Sequence, residues 1–406
     1  MQNLDIAVAG CGPCGLAAAL LLRRAGHRVT LFERFETPRP IGSGLMIQPT
    51  GMAVLARLGL LDEVLAAGAR IDRLWGQEGE RVVLDVRYAA LRNPRAFGIG
   101  IHRSSLFAIL HRAVLRQDIR LHTGHMLNGS SPAGTKRILH FADRPASQPF
   151  DLVVDALGTR TPLARPTGRQ LAYGALWASL DWPADAEFDP RALEQRYSRS
   201  SIMVGILPIG VPPDGTKAQA AFFWSLRADR LEQWRSSGLQ PWKDQVATLW
   251  PACEQLLSQI GDVDQLTFAR YAHRTLRTPA EPALIHIGDA WHSASPQLGQ
   301  GANMALLDAW ALAKGLAEAR SVEVALALAV GFRRRHVRMY QWLTALFTPV
   351  YQSDSRVLPM IRNRLVGPLS RLWPATSIQA ALVSGLVGKP LGPLGLDDDA
   401  PVAKGL

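Results

Sequence analysis

The 406-residue chain has little of several residue types that mark specialised classes of protein. Its three cysteines are too few for a disulfide scaffold, and such scarcity is typical of proteins from reducing compartments. Charged residues make up 19% and hydrophobic residues 48%, which excludes a disordered or fibrous chain. The sequence has no HxH or HExxH cluster and no G-x-S-x-G motif, so it predicts neither a metal site nor a serine nucleophile.

Acidic residues are also comparatively few. There are 34 of them against 45 basic residues, which gives a net charge of +11. Such an excess raises nucleic acid and anionic membranes as partners. Only six of the basic residues are lysines, and the densest run of arginines is Arg333 to Arg335. That run is too short for a nucleic-acid footprint, so we expect no nucleic-acid partner.

Long hydrophobic runs are missing as well. One of the longest uncharged stretches covers residues 6–22, whereas a transmembrane helix needs about twenty mostly apolar residues. Glycines interrupt this stretch and no lysine or arginine precedes it, so it fits neither a membrane span nor a signal peptide. It instead predicts a strand, a tight turn and a helix, and we expect a cytoplasmic protein.

The first positive signal is the glycine-rich turn in that stretch. An apolar strand over residues 4–9 precedes the pattern Gly10-x-Gly12-x-x-Gly15, and a helix and a second strand closed by Glu33 follow. The glycines permit close approach of a pyrophosphate, to which the helix N-terminus offers N–H groups. Glu33 is spaced to accept hydrogen bonds from a ribose hydroxyl. The predicted dinucleotide contacts are Gly10, Gly12, Pro13, Cys14, Gly15, Glu33 and Arg34.

The same turn contains a competing motif. Cys11 and Cys14 form the CxxC pattern of thiol-disulfide oxidoreductases, and a thiol at a helix N-terminus has a lowered pKa. No Trp precedes Cys11, and nucleotide binding already accounts for the surrounding glycines. We interpret the two cysteines as small residues in a crowded turn, and a redox role remains the alternative.

A second strand-turn-helix pattern lies near residue 285. A strand over residues 283–287 is followed by Gly288 and Asp289, then by Pro296 and a glycine-rich loop that opens a helix. Asp289 is suited to bind sugar hydroxyls, and the helix N-terminus is suited to stabilise negative charge on a bound ring. Asn303 is placed to cap or hold the helix start. The predicted cofactor contacts here are Asp289, Gly299, Gln300, Gly301, Ala302 and Asn303.

Together the two patterns resemble the FAD-dependent aromatic hydroxylases, the p-hydroxybenzoate hydroxylase-like class of single-component flavin monooxygenases. The second pattern carries the family's Gly-Asp motif, its Pro, its GQG-x-N loop and the downstream Asp308-Ala309. The resemblance implies an α/β fold, with a Rossmann-like FAD-binding domain interleaved with a β-sheet substrate domain and followed by C-terminal helices. The implied divisions are 1–75, 96–170 and 281–338 for FAD, 76–95 and 171–280 for the sheet, and 339–406 for helices with a disordered tail.

The resemblance extends to further FAD contacts. The segment from Ser43 to Pro49 resembles the one that reaches the flavin, and Arg103 stands where the family has a helix-start arginine. Residues near Met126 resemble the strand that touches the adenine through its backbone. The additional cofactor contacts implied are Gly44, Leu45, Arg103, Met126 and Gly158.

The family places its substrate between the flavin and a β-sheet. Strands predicted around residues 201–209 and 218–226 fit that sheet. His292 lies in the flavin loop, so we predict that it transfers a proton, with a structural histidine bonded to backbone as the alternative. Pro296 is expected to face the ring. The residues expected to line the substrate are Met46, Leu207, Pro208, Phe222, Trp224, Trp291 and Leu298.

The resemblance implies hydroxylation of an aromatic or polycyclic metabolite through a flavin C4a-hydroperoxide, formed from reduced FAD and O2. NADPH or NADH is the usual electron donor. The family's Asp-Gly motif, which is tied to handling both FAD and NADPH, here reads Leu157-Gly158, so a separate flavin reductase remains an alternative. Two other functions stay open: an oxidase or halogenase-like enzyme that uses externally reduced flavin, and a non-catalytic flavin-binding partner.

The chain after Met339 is both apolar and basic. We interpret it as helices packed on the flavin domain. The alternative is a surface that contacts a membrane and collects a lipophilic substrate. The last dozen residues, which include Asp397, Asp398 and Asp399, are expected to be disordered.

Overall fold

The computed structural model describes residues 3–38, 43–93, 95–165, 167–367 and 370–397. It confirms the predicted α/β class, with two large sheets, two small sheets and surrounding helices. The strands are β1 Asp5–Ala9, β2 Arg28–Phe32, β3 Gly44–Ile47, β4 Ala69–Ile71, β5 Arg73–Glu78, β6 Arg81–Arg87, β7 Gly98–His102, β8 Arg120–His122, β9 Leu127–Ala133, β10 Lys136–Phe141, β11 Leu152–Asp155, β12 Arg169–Asp181, β13 Ala192–Ser198, β14 Ile202–Gly210, β15 Gln219–Arg227, β16 Thr267–Thr275, β17 Ala280–Glu281, β18 Leu284–His286 and β19 His292–Ser293.

The helices surround the sheets and also pack against one another. They are α1 Pro13–Arg24, α2 Pro49–Arg57, α3 Leu61–Ala67, α4 Arg103–Leu115, α5 Leu231–Ser237, α6 Leu239–Leu249, α7 Glu254–Leu257, α8 Gly301–Glu318, α9 Val322–Tyr351, α10 Val357–Ile361 and α11 Ala375–Val383. Helix α8 is central, because it contacts α1, α2 and α9. A π-helical turn covers Arg362–Val366, and short 3-10 turns cover Gly158–Arg160, Gly288–Ala290 and Pro296–Leu298.

The first large sheet carries the N-terminal motif. Its strand order is β17-β18-β11-β1-β2-β8, and β1 pairs in parallel with both β2 and β11. Strand β1 is apolar from residue 6 to residue 9 because alternate residues lie in two different apolar clusters, one on each face. Parallel strands end at the same edge of a sheet, and the register pairs Ala9 with Asp155 and Asp155 with His286. The turns after β1, β11 and β18 therefore meet at one edge.

The second large sheet is mixed and has the order β19-β16-β12-β15-β14-β13-β5-β6. Strands β5 and β6 join it through a parallel pairing of β5 with β13. At the other edge β19, from the loop after β18, pairs with β16. Strands β5 and β6 and strands β12 to β16 thus contribute to one sheet. The domain boundaries proposed above stay a prediction.

The C-terminal region is helical, as predicted. Helix α9 packs along α8, and α10 contacts α9. The π-helical turn and α11 both pack against β6 of the second sheet. Within the described residues, no helix combines the length and the apolar character needed to cross a bilayer. Residues 398–406 of the predicted disordered tail lie outside the described residues.

A buried polar network joins α8, α9 and the turn after β18. Asp308 accepts hydrogen bonds from the Gly288 N–H at 3.0 Å and from His292 Nε2 at 2.7 Å. It also accepts one from Arg333 Nε at 2.8 Å, and the Arg333 guanidinium donates to His336 Nδ1 at 2.9 Å. Burial alone would raise the pKa of Asp308, but His292 and Arg333 outweigh it and hold that pKa below its usual value.

His336 gives this network a testable pH dependence. Burial, together with the Arg333 charge, lowers the pKa of His336 from 6.5 to about 3. A group whose pKa is lower in the folded than in the unfolded chain stabilises the fold above the unfolded pKa, and that stability is lost as the pH falls, by up to about 1.4 kcal/mol per pH unit. We expect the free energy of urea unfolding to fall below about pH 6.5, and to fall less steeply in His336→Gln. Equal slopes for the two proteins would contradict this assignment.

Candidate functional site

The β1–α1 turn is built from close backbone contacts that only glycine permits. Gly10 has φ +105°, and a Cβ at this position would lie 2.6 Å from the Ala156 carbonyl oxygen. A Cβ on Gly15 would collide with the Gly10 carbonyl oxygen. Gly12 is different, because a Cβ there would meet no protein atom within 4 Å. Gly12 therefore borders open space at the start of α1.

The N-terminus of α1 is suited to an anion. Pro13 occupies the first turn, which contains no acidic residue, and no side chain caps the helix. The peptide dipoles of the helix leave partial positive charge at this end. Glu33 lies beside it: its carboxylate accepts hydrogen bonds from the backbone N–H groups of Cys11 at 3.0 Å and Phe35 at 3.1 Å. Arg34 is exposed and stacks on the Phe35 ring.

The CxxC pair lacks the properties of a redox motif. Cys11 and Cys14 are both buried free thiols, and burial raises the pKa of each. A reactive thiol needs the opposite shift. Cys14 Sγ donates to the Ala305 carbonyl oxygen at 3.4 Å, so this side chain joins α1 to α8. The interpretation of the cysteines as packing residues fits this geometry.

The second motif lies directly against the first. Gly288 has φ +57°, and a Cβ there would lie 3.0 Å from Cys14 Sγ. The next residue, Asp289, is exposed to solvent, yet the surrounding protein is close enough that burial raises the pKa of its carboxyl, while the His292 and Arg103 charges act to lower it. A carboxyl that is both accessible and crowded lies in a crevice. Asp289 therefore lines a cleft at the edge of the first sheet, opposite Arg103 at the start of α4.

The predicted flavin loop is held in place by Asn303. Its amide oxygen accepts from the Gln48 N–H at 2.8 Å, and its amide nitrogen donates to the carbonyls of Met46 at 3.1 Å and Gly299 at 3.0 Å. Asn303 thus ties the start of α8 to β3, although it does not occupy the capping position itself. Gly299 adopts φ +61° and Gly301 faces open space, whereas Gln300 is buried. Ala302 packs partly against the core.

The structure also describes three other predicted cofactor segments. Gly44 packs closely on Ile209 of the second sheet, and the neighbouring Leu45 is half-buried. The Met126 side chain is exposed, but its carbonyl already accepts from the Ala142 N–H at 2.9 Å, so only the remaining backbone groups are available to an adenine. Gly158 has φ +79° and borders open space.

Leu157 has a structural role in this chain. Its side chain packs on the apolar cluster beneath β11, and its N–H donates to Asp155 Oδ1 at 3.0 Å. The Asp155 carboxylate is fully buried and also accepts from Thr161 Oγ1 at 2.7 Å and His286 Nδ1 at 2.6 Å. Asp155 therefore does not replace the acid that the family has at position 157.

Two substrate predictions on β15 are wrong by one residue. Phe222 and Trp224 point away from the flavin domain and pack edge-on against Trp242 of α6, with ring centroids 5.9 and 6.3 Å apart. The alternate residue Phe223 faces the other way and stacks on Trp177 at 4.7 Å. Side chains alternate along a strand, so a shift of one residue exchanges the two faces.

The remaining substrate predictions fall into two groups. Trp291 and Leu298 are buried in the apolar core of the FAD-binding part, and their contact with a substrate stays a prediction. Met46 and Leu207 do lie in the apolar cluster between the second sheet and the small β3-β7-β4 sheet. Pro208 is buried, and its carbonyl lies against Gly100 of β7.

His292 does not face the cleft as a free base. The side chain is buried, and its Nε2 donates to Asp308 in the network described above. This bond favours the structural alternative, although the partner is a carboxylate and not the backbone. Pro296 is exposed at the start of its 3-10 turn, which is compatible with a position facing a bound ring.

Sequence reasoning missed an aromatic group on the correct face of the second sheet. Trp177 Nε1 donates to Tyr271 Oη at 3.2 Å, and Arg103 is close enough to Tyr271 to act on its pKa, which burial raises. Arg103 acts in the same way on Asp289. These residues therefore connect the sheet to the cleft. The alternation along β12 could have shown that Trp177 faces this side of the sheet, because Leu176 and Ala178 on either side of it face the other.

The arrangement fits a bound dinucleotide. Gly12, Gly158 and Gly301 come from three separate predicted cofactor segments, and each borders open space. The first turns of α1 and α8 contain no acidic residue and no side-chain cap, so both present positive dipole ends. Asp289 is available for sugar hydroxyls in the same cleft. FAD has phosphates, a ribityl chain and a ring that match these features.

Comparison with known proteins supports the same cofactor. A family model described as an FAD binding domain matches residues 3–116 and 164–326. 6-Hydroxynicotinate 3-monooxygenase of Pseudomonas fluorescens is 24% identical over 350 residues, which cover 80% of this chain and 86% of that protein. 6-Methylpretetramide 4-monooxygenase of Streptomyces rimosus is 27% identical, covering 94% of this chain and 88% of that protein.

A solved structure shares the fold along almost the whole chain. HpxO of Klebsiella pneumoniae, complexed with FAD and uric acid, superposes with a TM-score of 0.82 at 18% identity, covering 97% of this chain and 99% of that one. At this identity the likeness establishes the fold alone. The family model, however, matches well over half of the chain. The chain therefore belongs to the FAD binding domain family and is, as the resemblance implied, an FAD-dependent monooxygenase of the p-hydroxybenzoate hydroxylase-like class.

Proposed function

We propose that the protein hydroxylates an aromatic or polycyclic small molecule that binds between FAD and the second sheet. The observation that carries this proposal is the meeting of the two glycine turns and the Trp177 face of the sheet around one cleft. Two relatives are named for ring substrates, 6-hydroxynicotinate and 6-methylpretetramide. Their names support the class of substrate and not its identity.

Bound FAD supplies the reaction with oxygen transfer from O2. The protein contributes binding and shielding. The α1 N-terminus and Gly12 hold the phosphates, Asp289 binds hydroxyls, and the α8 N-terminus stabilises negative charge on the ring. The apolar cluster around Met46 and Leu207 keeps water from the reacting atoms.

The Trp177 face is suited to a planar, largely apolar ring. Trp177 is half-buried and stacks on Phe223, whose ring lies over Gly205 because that residue has no side chain. Tyr271 adds a phenol at the edge of this aromatic pair. Stacked aromatic side chains bind flat molecules through contact area, and the phenol offers a hydrogen bond that fixes orientation.

We propose NADPH or NADH as the electron donor, because such donors are typical of the family. The Leu157 side chain is half-buried against the apolar cluster beneath β11, which stands against a family-type nicotinamide contact at that position. A separate flavin reductase is therefore the second candidate source of electrons.

The first test concerns the reaction itself. We expect the purified protein to bind FAD and to consume O2 and NADPH or NADH when it meets its aromatic substrate, with one oxygen atom incorporated into the product. A panel of hydroxylated aromatic and polycyclic compounds, followed by mass spectrometry with ¹⁸O2, measures this directly. Failure to bind FAD, or O2 uptake that yields only hydrogen peroxide across the panel, would contradict the proposal.

The second test uses one substitution on each face of the sheet. Trp177→Phe removes part of the stacking area and the bond to Tyr271, so we expect KM for the best compound of the panel to rise by up to about tenfold. Trp224→Phe makes the same change on the opposite face and should leave KM unchanged while lowering stability by about 1 kcal/mol. Steady-state kinetics compare the two variants. Equal KM values for Trp177→Phe and wild type would remove Trp177 from the substrate site.

The third test separates the two electron sources. In anaerobic stopped-flow mixing, NADPH or NADH should bleach the absorbance of the bound FAD. Bleaching by neither, together with product formation when dithionite-reduced protein meets O2 and substrate, would reject a nicotinamide donor and establish the need for a separate reductase.

A further inference from the structure

The surface of the C-terminal region is unusually apolar. In the described part of the chain eleven large hydrophobic residues are exposed, and eight of them lie within residues 342–378. The exposed fractions reach 64% for Trp342 and 83% for Trp373. Apolar clusters on a protein surface mark contact sites for other molecules. The eight residues, which we call the C-terminal patch, are Trp342, Leu346, Val357, Met360, Ile361, Leu372, Trp373 and Ile378.

Helix α9 shows how the patch is built. Arg338, Trp342 and Leu346 follow one another at intervals of four residues on its exposed side. The opposite side buries Tyr340 and Thr344. The exposed side is therefore basic toward the N-terminus of the helix and apolar toward its C-terminus.

Neighbouring elements also expose apolar residues. Helix α10 contacts α9 and exposes Val357, Met360 and Ile361. The π-helical turn after it and helix α11 both pack on β6, and the exposed Trp373 precedes α11. The exposed apolar residues thus lie on elements that are linked to each other through α9 or β6.

The helices that carry the patch are rich in basic residues. Residues 324–396 contain nine basic residues and a single acid, Asp354, before the three acids Asp397, Asp398 and Asp399. Asp354 is bonded to Arg227 and Tyr173. Arg333 and Arg362 are buried in ion pairs. The exposed cations that remain are Arg334, Arg335, Arg338, Arg356, Arg364, Arg371 and Lys389.

We propose that the C-terminal patch docks on the surface of an anionic phospholipid bilayer. Exposed tryptophans favour the boundary between lipid headgroups and acyl chains, and arginines beside them attract anionic headgroups. A second copy of this chain fits the patch poorly, because an isologous interface would bring two copies of the same arginine-rich surface together. Docking in the interface agrees with the described helices, none of which can span a bilayer.

Docking connects to the reaction through the inner side of the same helices. Tyr351 of α9 and Ala380 and Val383 of α11 pack in the apolar cluster that also holds Met46 and Phe223. The helices that expose the patch therefore pack against the same apolar cluster in which we place the substrate. This part of the inference rests on the proposed function: a lipophilic ring compound passes from the bilayer to this cluster without crossing bulk water.

Vesicle binding by the FAD-loaded protein tests the proposal without any turnover. The probes are phosphatidylcholine vesicles with and without phosphatidylglycerol, and the readout is cosedimentation. We expect binding to the anionic vesicles alone. The double substitution of Arg335→Gln and Arg338→Gln should weaken vesicle binding about 25-fold, because each arginine near the surface strengthens binding about fivefold. Trp342→Ser with Trp373→Ser should weaken it at least about tenfold.

Matched controls lie on α4, away from the patch. Leu115 is exposed to a similar extent as Trp342, and Arg116 follows it as an exposed cation, so Leu115→Ser and Arg116→Gln should bind vesicles like wild type. Absence of vesicle binding, or equal losses in the controls, would overturn the proposal. So would a concentration-dependent dimer in sedimentation velocity that the patch substitutions abolish, since the patch would then be a protein interface. Vesicle binding with no hydroxylation would reject the proposed function alone.

Discussion

Backbone contact between two glycine turns is the constraint on which the rest of the structure depends. The turn after β1 packs against the segment after β11 through Gly10, and against the turn after β18 through Cys14 and Gly288. A side chain at Gly10 would force the first two segments apart, and one at Gly15 would collide with the Gly10 carbonyl within the turn itself. Because the segments lie almost three hundred residues apart in sequence, their contact is what brings the α1 N-terminus and Asp289 into one cleft.

Asp308 stabilises this arrangement from inside. Its carboxylate binds the backbone of Gly288, the ring of His292 and the guanidinium of Arg333, and so it links the turn to α8 and α9. Breaking a buried charge pair leaves an uncompensated charge and costs several kcal/mol. The same network continues through His336 into the C-terminal region. One continuous hydrogen-bond network therefore joins the cofactor cleft to the helices that carry the C-terminal patch.

The parts of the site that depend on local geometry were predictable from sequence. Glycines at fixed spacing, with a strand before and a helix after, identified both turns, and the resemblance to the aromatic hydroxylases implied FAD. The orientation of β15 was not predictable, because residues 220–225 are buried on both faces and show no alternation. This is why Phe222 and Trp224 were placed on the wrong face. His292 was predicted to transfer a proton because it lies in the flavin loop. Its bond to Asp308 could not be foreseen, since Asp308 lies sixteen residues away on another element.

The central claim is that the phosphates of FAD lie in the open space beside Gly12. The substitution Gly12→Ala measures it most directly, since its φ of −71° suits alanine and the added methyl meets no protein atom. We predict an unchanged unfolding temperature for the apoprotein and a Kd for FAD raised at least about tenfold in fluorescence titration. Gly331→Ala, which also adds a methyl in open space but on the outer face of α9, should bind FAD like wild type. Wild-type affinity in Gly12→Ala would contradict the account.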